Sequence, residues 1–351
     1  MTGNAGMESI LSTGSLMEIE WQTFWQKMTL PDKIQISLPV SKKKIIILSG
    51  PTGVGKTALS LVVAKAIGGE IISVDSMQVY QGMDIGTAKI PWKDRNEVPH
   101  HLLDVRSIGE TFNVVDFYNE ATRLIEEIYE RGHVPVVVGG TGFYIHALIY
   151  GPPSGPASNE EVRMGWETEM QEKGSEALFR KLEEIDPQYA QTITQNDKHK
   201  IIRALEIISL TGKRVSQFIK QVNPLQKYDF RCWFLYLPKD VLYQRIEERC
   251  DEMVAKGFLQ EVESLDKLGL RANSSASQAI GYRQCLEFLD SPRGEKDWER
   301  FMMTFKQASR KYAKRQFTWF RKEKFFRWLN REELSFERAA EVILQDFELS
   351  P

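Results

Sequence analysis

Residues Gly50-Pro-Thr-Gly-Val-Gly-Lys-Thr57 constrain this chain more than any other stretch. They follow the apolar run Ile45 to Leu48 and precede an apolar-periodic segment from Ala58 to Ile67, an order that predicts strand, phosphate loop and helix. Gly50, Gly53 and Gly55 admit backbone angles closed to other residues, so successive amide N–H groups can turn inward around an anion at a helix N-terminus. Pro51, Thr52 and Val54 complete the loop. Lys56 supplies a point charge to the outer phosphate, and the Thr57 hydroxyl can ligate a phosphate-bound Mg²⁺.

The surrounding pattern predicts the sheet that such a loop requires. Glu70 to Asp75 reads as a short buried strand ending in an acid, Leu102 to Val105 as a possible strand, Asn113 to Arg131 as a helix, and Val134 to Val138 as a strand ending in Gly139-Gly-Thr-Gly142. This alternation predicts an α/β fold, a phosphate-loop parallel sheet flanked by helices. Ligands of such sheets sit beyond the carboxyl ends of the strands, where the loop, Asp75 and Thr141 should converge. Gly151-Pro-Pro-Ser-Gly-Pro156 breaks the pattern. Charged helical periodicity then runs to about Lys227, and strand character returns at Cys232 to Leu237. The organisation expected is an N-terminal extension at 1–43, a core from 44 to 152, an all-helical insertion at 153–227, and the core continued at 228–351 with basic helices and no further strand.

At 351 residues with 42% hydrophobic side chains, the chain can bury a full core. Cys232, Cys250 and Cys285 are odd in number and lack CxxC spacing, which argues against a disulfide framework and a zinc site and for a reducing, cytoplasmic setting. No apolar run approaches a membrane span, and residues 1–43 lack the order of a signal peptide. Leu16 to Met28, with Trp21, Phe24 and Trp25, could form a short amphipathic helix. His100 and His101 lack metal spacing and read as structural.

Spacing leaves two roles for Asp75 open: a partner of the magnesium shell or helix cap, and a general base beside the polyphosphate. Between Lys306 and Arg327 lie Lys306, Arg310, Lys311, Lys314, Arg315, Arg321, Lys322, Lys324 and Arg327 against the single acid Glu323, with Tyr312, Phe317, Trp319 and Phe320 interleaved. That composition suits either a solvated face with core aromatics or a nucleic-acid stripe with stacking partners.

In order, GPTGVGKT, VDSMQVYQGMDIGTAK, IPWKDRNEVPHHLLDV, PVVVGGTGFY, IIRALEI, SQAIGYRQ and AKRQFTWF resemble the tRNA dimethylallyltransferase (isopentenyltransferase) family over residues 44 to 330, in its bacterial form without a C-terminal zinc finger. The resemblance implies transfer of the dimethylallyl group of dimethylallyl diphosphate, with Mg²⁺, to the exocyclic amine of the adenosine immediately 3′ of the anticodon. It implies Asp75 as general base, Thr141 as a hydroxyl orienting amine and base, and Gly50 to Thr57 with Arg249 holding the diphosphate. Without it, Arg249 reads as a solvated helix charge. It further implies RNA contacts from Asp75, Ser76, Met77, Gln78 and Thr141, from Arg163, from His199, Lys200, Ile201, Ile202 and Arg203, and from Gln278, Ala279, Ile280, Gly281, Tyr282, Arg283 and Gln284. With the stripe, Lys314 and Arg315 join them. The partner is then a tRNA anticodon stem-loop bound by a monomer away from any membrane. A small-molecule or nucleoside kinase, and an ATP-dependent RNA-binding switch, share the loop but need either no basic stripe or no covalent product.

Overall fold

The computed structural model describes residues 42–218, 224 and 227–348, so the expected helix at Leu16 to Met28 lies outside the described residues. Six parallel strands form one sheet in the order β3-β2-β4-β1-β5-β6. They are β1 (Lys43–Ser49), β2 (Gly69–Val74), β3 (His100–His101), β4 (Val134–Gly139), β5 (Tyr228–Tyr236) and β6 (Arg327–Asn330). Because side chains alternate across a strand, Ile45 and Ile47 enter one apolar layer and Ile46 and Leu48 the other. A run of consecutive Ile residues is what a strand buried on both faces needs.

Helices cover both faces. Against Ile46 and Leu48 lie α1 (Lys56–Ala66), through Leu59 and Val63, and later helices through Leu242, Ile246 and Ile343. The opposite face receives α2 (Val114–Glu130), whose Phe117, Ala121, Leu124, Ile125 and Ile128 make a helical stripe. Asn113 caps α2 by accepting from Val115 and Asp116 amides at 2.8 and 3.2 Å, while Asp116 accepts from the Asn113 amide at 2.9 Å, a reciprocal cap worth about 1 kcal/mol. Short α3 (Gly142–Tyr150) follows β4 directly.

Residues 160–211 contain no strand. There α4 (Glu160–Ile185), kinked at Gly174 with φ 82°, packs on α5 (Lys198–Thr211) around Met170, Leu178, Leu182, Ile201 and Leu205, a cluster separate from the two sheet layers. The chain returns to the sheet at β5 and continues through α6 (Lys239–Ala255), α7 (Phe258–Lys267), α8 (Tyr282–Leu289), α9 (Glu295–Phe320) and α10 (Phe336–Glu348).

Two expectations are corrected. The strand expected at Leu102 to Val105 is instead the two residues of β3, because Leu102 and Asp104 take positive φ of 61° and 57° and the chain turns away. Asp104 is held there by Lys89 at 2.6 Å and Arg95 at 2.8 Å. The expected strand-free carboxyl portion contains β6, which pairs Arg327–Asn330 with β5; Trp328 and Leu329 sit in a four-residue segment too short to show a period.

Candidate active site

The carboxyl ends of β1, β2 and β4 open into a crevice of about 380 Å³ lined by Thr52, Gly53, Lys56, Asp75, Arg249 and Tyr312, among others. The phosphate loop leaves β1 at Gly50, where a Cβ would stand 2.6 Å from the Leu235 carbonyl oxygen, and turns through Gly53 and Gly55 at φ 81° and 96°. A side chain at these two positions would be strained whatever space it had. The loop delivers its amides to the start of α1, where the helix end favours an anion.

Lys56 folds back on this loop, its Nζ donating to the carbonyl oxygens of Gly50 and Pro51, both at 2.9 Å. Burial and the nearby Arg249 guanidinium push its pKa down to about 7 against the opposing pull of Asp75. Arg249 projects from α6 into the crevice without a hydrogen bond or ion pair among the described residues, and burial works against its charge as well. Two cations that lack anionic partners therefore face one glycine-rich loop. An anion with more than one charge would relieve both.

Opposite them, Asp75 follows β2. Its Oδ1 accepts from the amides of Met77 at 2.9 Å and Gln78 at 3.3 Å, an arrangement that fixes the carboxylate at the crevice wall and leaves Oδ2 without a hydrogen bond among the described residues. Thr141 follows β4, the strand beside β2, with Val74 in register with Gly139. Its amide donates to the Val74 carbonyl at 3.3 Å and its Oγ1 accepts from the Ser76 amide at 3.3 Å, so the Asp75 turn and the Thr141 hydroxyl are tied together. Glycine is required in this turn by close packing: a Cβ on Gly139 would stand 2.1 Å from the Val74 carbonyl, on Gly140 2.1 Å from Gln316 Nε2, and on Gly142 2.4 Å from the Trp319 indole.

Helix α9 supplies Gln316, which the sequence did not single out, and Tyr312, which it offered only as an aromatic of the basic stripe. Gln316 is buried; it accepts from the Thr52 amide at 3.1 Å and donates to the Gly140 carbonyl at 3.0 Å, tying the phosphate loop to the Gly139–Gly142 turn. Tyr312 hydrogen-bonds Thr141 and lines the crevice. The available signal was an amide and a phenol placed four residues apart among cations.

The RNA residues implied by the family resemblance divide. Ser76, Met77 and Gln78 line the crevice; Gln78 is pinned by Ser73 at 3.0 Å and by the Thr87 carbonyl at 3.1 Å. Gln278, Ala279 and Ile280 also line it. His199 and Lys200 are exposed at the start of α5, Arg163 is half-buried beside Glu167 at 2.9 Å, and Arg283 is exposed. Ile201 and Ile202 have their side chains buried in the α4–α5 core. Arg203 is turned to the Pro156 carbonyl and Glu206. Tyr282 and Gln284 are buried, Tyr282 donating to Glu261 at 2.6 Å and Gln284 capping α8 through the Gly281 amide at 2.8 Å. Gly281 itself is buried at φ 88°, with Phe305 2.8 Å from where a Cβ would lie.

The stripe on α9 divides too. Lys306 and Arg310 pair with Asp251 and Glu247, and Arg327 pairs with Asp346. Lys311, Lys314, Arg315, Arg321, Lys322 and Lys324 are exposed and form no ion pair among the described residues. Of the interleaved aromatics, Phe320 is fully buried against Phe234 and Phe326, and Phe317 packs on the same layer, so neither is a stacking partner. His100 lines the crevice and is bonded to the Val98 carbonyl, and His101 is bonded to Glu70, both at 2.6 Å. Among the described residues no helix is long and apolar enough to cross a membrane, and no group of three or more His, Cys, Asp or Glu could hold a metal.

The profile of the IPP transferase family matches residues 78–323. A tRNA dimethylallyltransferase of Protochlamydia amoebophila (strain UWE25) is 57% identical over 310 residues, 88% of this chain and 90% of that one. That of Chlamydia pneumoniae is 48% identical over 319 residues, covering 90% and 93%. The solved full-length tRNA isopentenylpyrophosphate transferase of Bacillus halodurans superposes with a TM-score of 0.64 at 41% identity, over 87% of this chain and 96% of that one. A eukaryotic dimethylallyltransferase, solved acting on tRNA, gives 0.72 at 27% identity, over 88% and 80%.

Proposed function

The chain belongs to the tRNA dimethylallyltransferase (IPP transferase) family, and from that premise we propose that its crevice moves the dimethylallyl group of dimethylallyl diphosphate to the exocyclic amine of the adenosine immediately 3′ of a tRNA anticodon. One observation carries this reading: a phosphate loop with two unpaired cations faces, across a single crevice, a carboxylate with one oxygen free. Charge leaves on one side and a proton leaves on the other.

The loop amides, Lys56 and Arg249 bind the diphosphate and stabilise the negative charge that accumulates as its bond to the allylic carbon breaks. Thr141, fixed by Ser76 and Tyr312, orients the amine, whose lone pair forms the new C–N bond. Asp75 Oδ2 accepts the proton that the amine then loses. Mg²⁺ fits as a companion of the diphosphate rather than as a resident ion, because the protein side offers the exposed Thr57 hydroxyl and no cluster of ligands among the described residues. When bound it would add charge stabilisation to the leaving group. An adenine within a stacked loop must be extruded to reach this depth. The unpaired cations of α9, with His199 and Lys200 on the helical unit at 153–227, supply phosphate contacts for the anticodon stem-loop.

Incubating the protein with labelled dimethylallyl diphosphate, Mg²⁺ and unmodified tRNA tests the proposal. Label in the RNA supports it; label from ATP in a small product would replace it with a kinase, and RNA binding without any covalent product would leave only a binding protein.

A further inference from the structure

Helix α3 begins one residue after Thr141 and carries no charged residue: Gly-Phe-Tyr-Ile-His-Ala-Leu-Ile-Tyr. One face, Tyr144, Ile145 and Leu148, is buried in the sheet layer. The other carries Phe143, His146 and Tyr150, at the spacing of one helical stripe. A helix on the outside of a sheet ordinarily shows charge there. Here the rings continue instead through α9 and the turn after it. Phe143 meets Trp319 at 6.3 Å and 72°, Trp319 meets His146 at 6.4 Å and 88°, His146 meets Tyr150 at 4.5 Å, and Tyr150 meets Phe325 at 5.9 Å.

This row has three open rings. Phe143 is 46% exposed, Trp319 39% and Phe325 44%, against complete burial of Phe320 one residue after Trp319. Trp319 lies two helical turns beyond Tyr312 on the stripe that lines the crevice, roughly 10 Å along the helix axis, and its indole covers Gly142 of the catalytic turn. The row's surroundings are cationic. Lys314, Arg315, Arg321, Lys322 and Lys324 flank it without acid partners among the described residues, and Lys322 and Lys200 both act on Asp197 at the start of α5. The one acid of the segment, Glu323, is taken by His146 at 2.9 Å. Rings beside a reacting centre, surrounded by unneutralised positive charge, match a polyanion whose flat, apolar groups have been unstacked.

We propose that Phe143 and Trp319, whose planes stand at 72°, form a two-walled corner for a loop nucleotide next to the extruded adenosine, one ring stacking on the base and the other meeting its edge, holding the opened loop while the target base occupies the crevice. This inference rests on the reading of the site as one that modifies tRNA. It replaces the four aromatics expected of the stripe by one of them, Trp319, joined by Phe143 from a different element.

The test measures binding of an anticodon stem-loop RNA, at fixed salt, by wild type, Phe143→Ala and Trp319→Leu. A companion RNA set replaces each nucleotide flanking the target adenosine, in turn, by an abasic residue. The expected result is a Kd raised roughly five- to hundredfold for each variant on intact RNA, the range for losing one base–aromatic stack. On one abasic RNA, wild type and variants should bind alike. Affinity for dimethylallyl diphosphate and the single-turnover rate at saturating RNA should stay within about twofold. Phe143→Leu, which keeps apolar bulk but loses the π face, should show the same loss if Phe143→Ala does not fold. Unchanged Kd with a fallen rate would reduce both rings to supports of the catalytic turn, and an equal penalty on every abasic RNA would remove the stack. If the wild type prenylates no RNA, the proposed reaction falls, whereas normal prenylation with unaffected variants overturns the platform alone.

Discussion

At the amino end of β2, Glu70 has a side chain 3% exposed and accepts from Arg131 at 2.7 and 2.9 Å, with His101 and His133 each at 2.6 Å. At the carboxyl end of the same strand, Asp75 takes only two backbone amides among the described residues, both on one oxygen. Burial works to raise the Glu70 pKa, and the hydrogen bonds of its three partners overcome that and bring it down to about 2. The difference separates a carboxylate whose valences are spent within the protein from one that is positioned but unfinished. The first is structural by its own geometry, and the second needs something from outside.

The sharpest way to break this comparison is Asp75→Ala. As general base it should cost the single-turnover rate about a hundredfold to ten-thousandfold, the range for a lost acid–base group, with thermal stability held close to wild type. Measuring the rate across Mg²⁺ concentrations separates the two roles that spacing left open. Metal rescue, with diphosphate affinity falling alongside the rate, would make Asp75 a partner of the magnesium shell and remove the base assignment.

Lys56 extends the comparison to a cation whose only hydrogen-bond partners among the described residues are two carbonyls of its own loop. Lys56→Ala should lower turnover by about a hundredfold to a thousandfold, as for a lost donor to transition-state charge, and leave RNA affinity unchanged. Its pKa of about 7 adds a pH signature. A diphosphate binds the ammonium form, so below pH 7 the charge is already present, and above it each pH unit should weaken donor binding by up to tenfold. Calorimetry from pH 6 to 9 should show that slope in wild type and a flat line in the variant. A slope retained by Lys56→Ala would assign the titration elsewhere.

Glu70→Gln tests the finished end. Two of its partners, Arg131 and His133, are 44% and 47% exposed and can return to water, so the loss should be about 2–3 kcal/mol rather than the 3–5 of a fully enclosed pair. Since its folded pKa lies below the ordinary carboxylate value, this stability is complete above about pH 4.5 and is lost as the pH falls towards 2. Urea unfolding at pH 6, 4 and 3 should therefore show wild type converging on the variant in acid. Loss of prenyl transfer with stability intact would erase the distinction between the two ends.

The sequence revealed the finished and unfinished ends unequally, and the reason is locality. The phosphate loop and Asp75 are contiguous signals, because one segment must supply both the geometry and the chemistry. Tyr312 and Gln316 close the site from more than 170 residues beyond Gly140 and Thr141, and no local period points across that distance. Contact spans carried over as blocks, in turn, do not tell which side chains face outward. Within 201–203 and 281–284 a helix alternates faces, and Ile201, Ile202 and Tyr282 turned inward. β6 escaped for a third reason, its four residues being fewer than any periodicity can show.

The smallest predicted effect carries the comparison to the surface, where α9 holds paired and unpaired cations on one helix. Lys306 and Arg310 already have Asp251 and Glu247, whereas Lys314 and Arg315 have no acid partner among the described residues, and Arg315 lies over the Tyr312 ring at 5.5 Å. Phosphate contacts displace counterions, so each one lost should flatten the dependence of log affinity on log salt by about 0.7–0.9. Neutralising Lys314 and Arg315 together as glutamines should thus lower the slope by roughly 1.5 and weaken tRNA binding by about tenfold at moderate salt. The matched Lys306→Gln, Arg310→Gln variant should leave the slope within 0.5 of wild type, because those charges are neutralised before RNA arrives. Equal slopes for the two double variants would mean that ion pairing with α6 does not decide which cations meet phosphate, and the rule drawn from β2 would stop at the crevice.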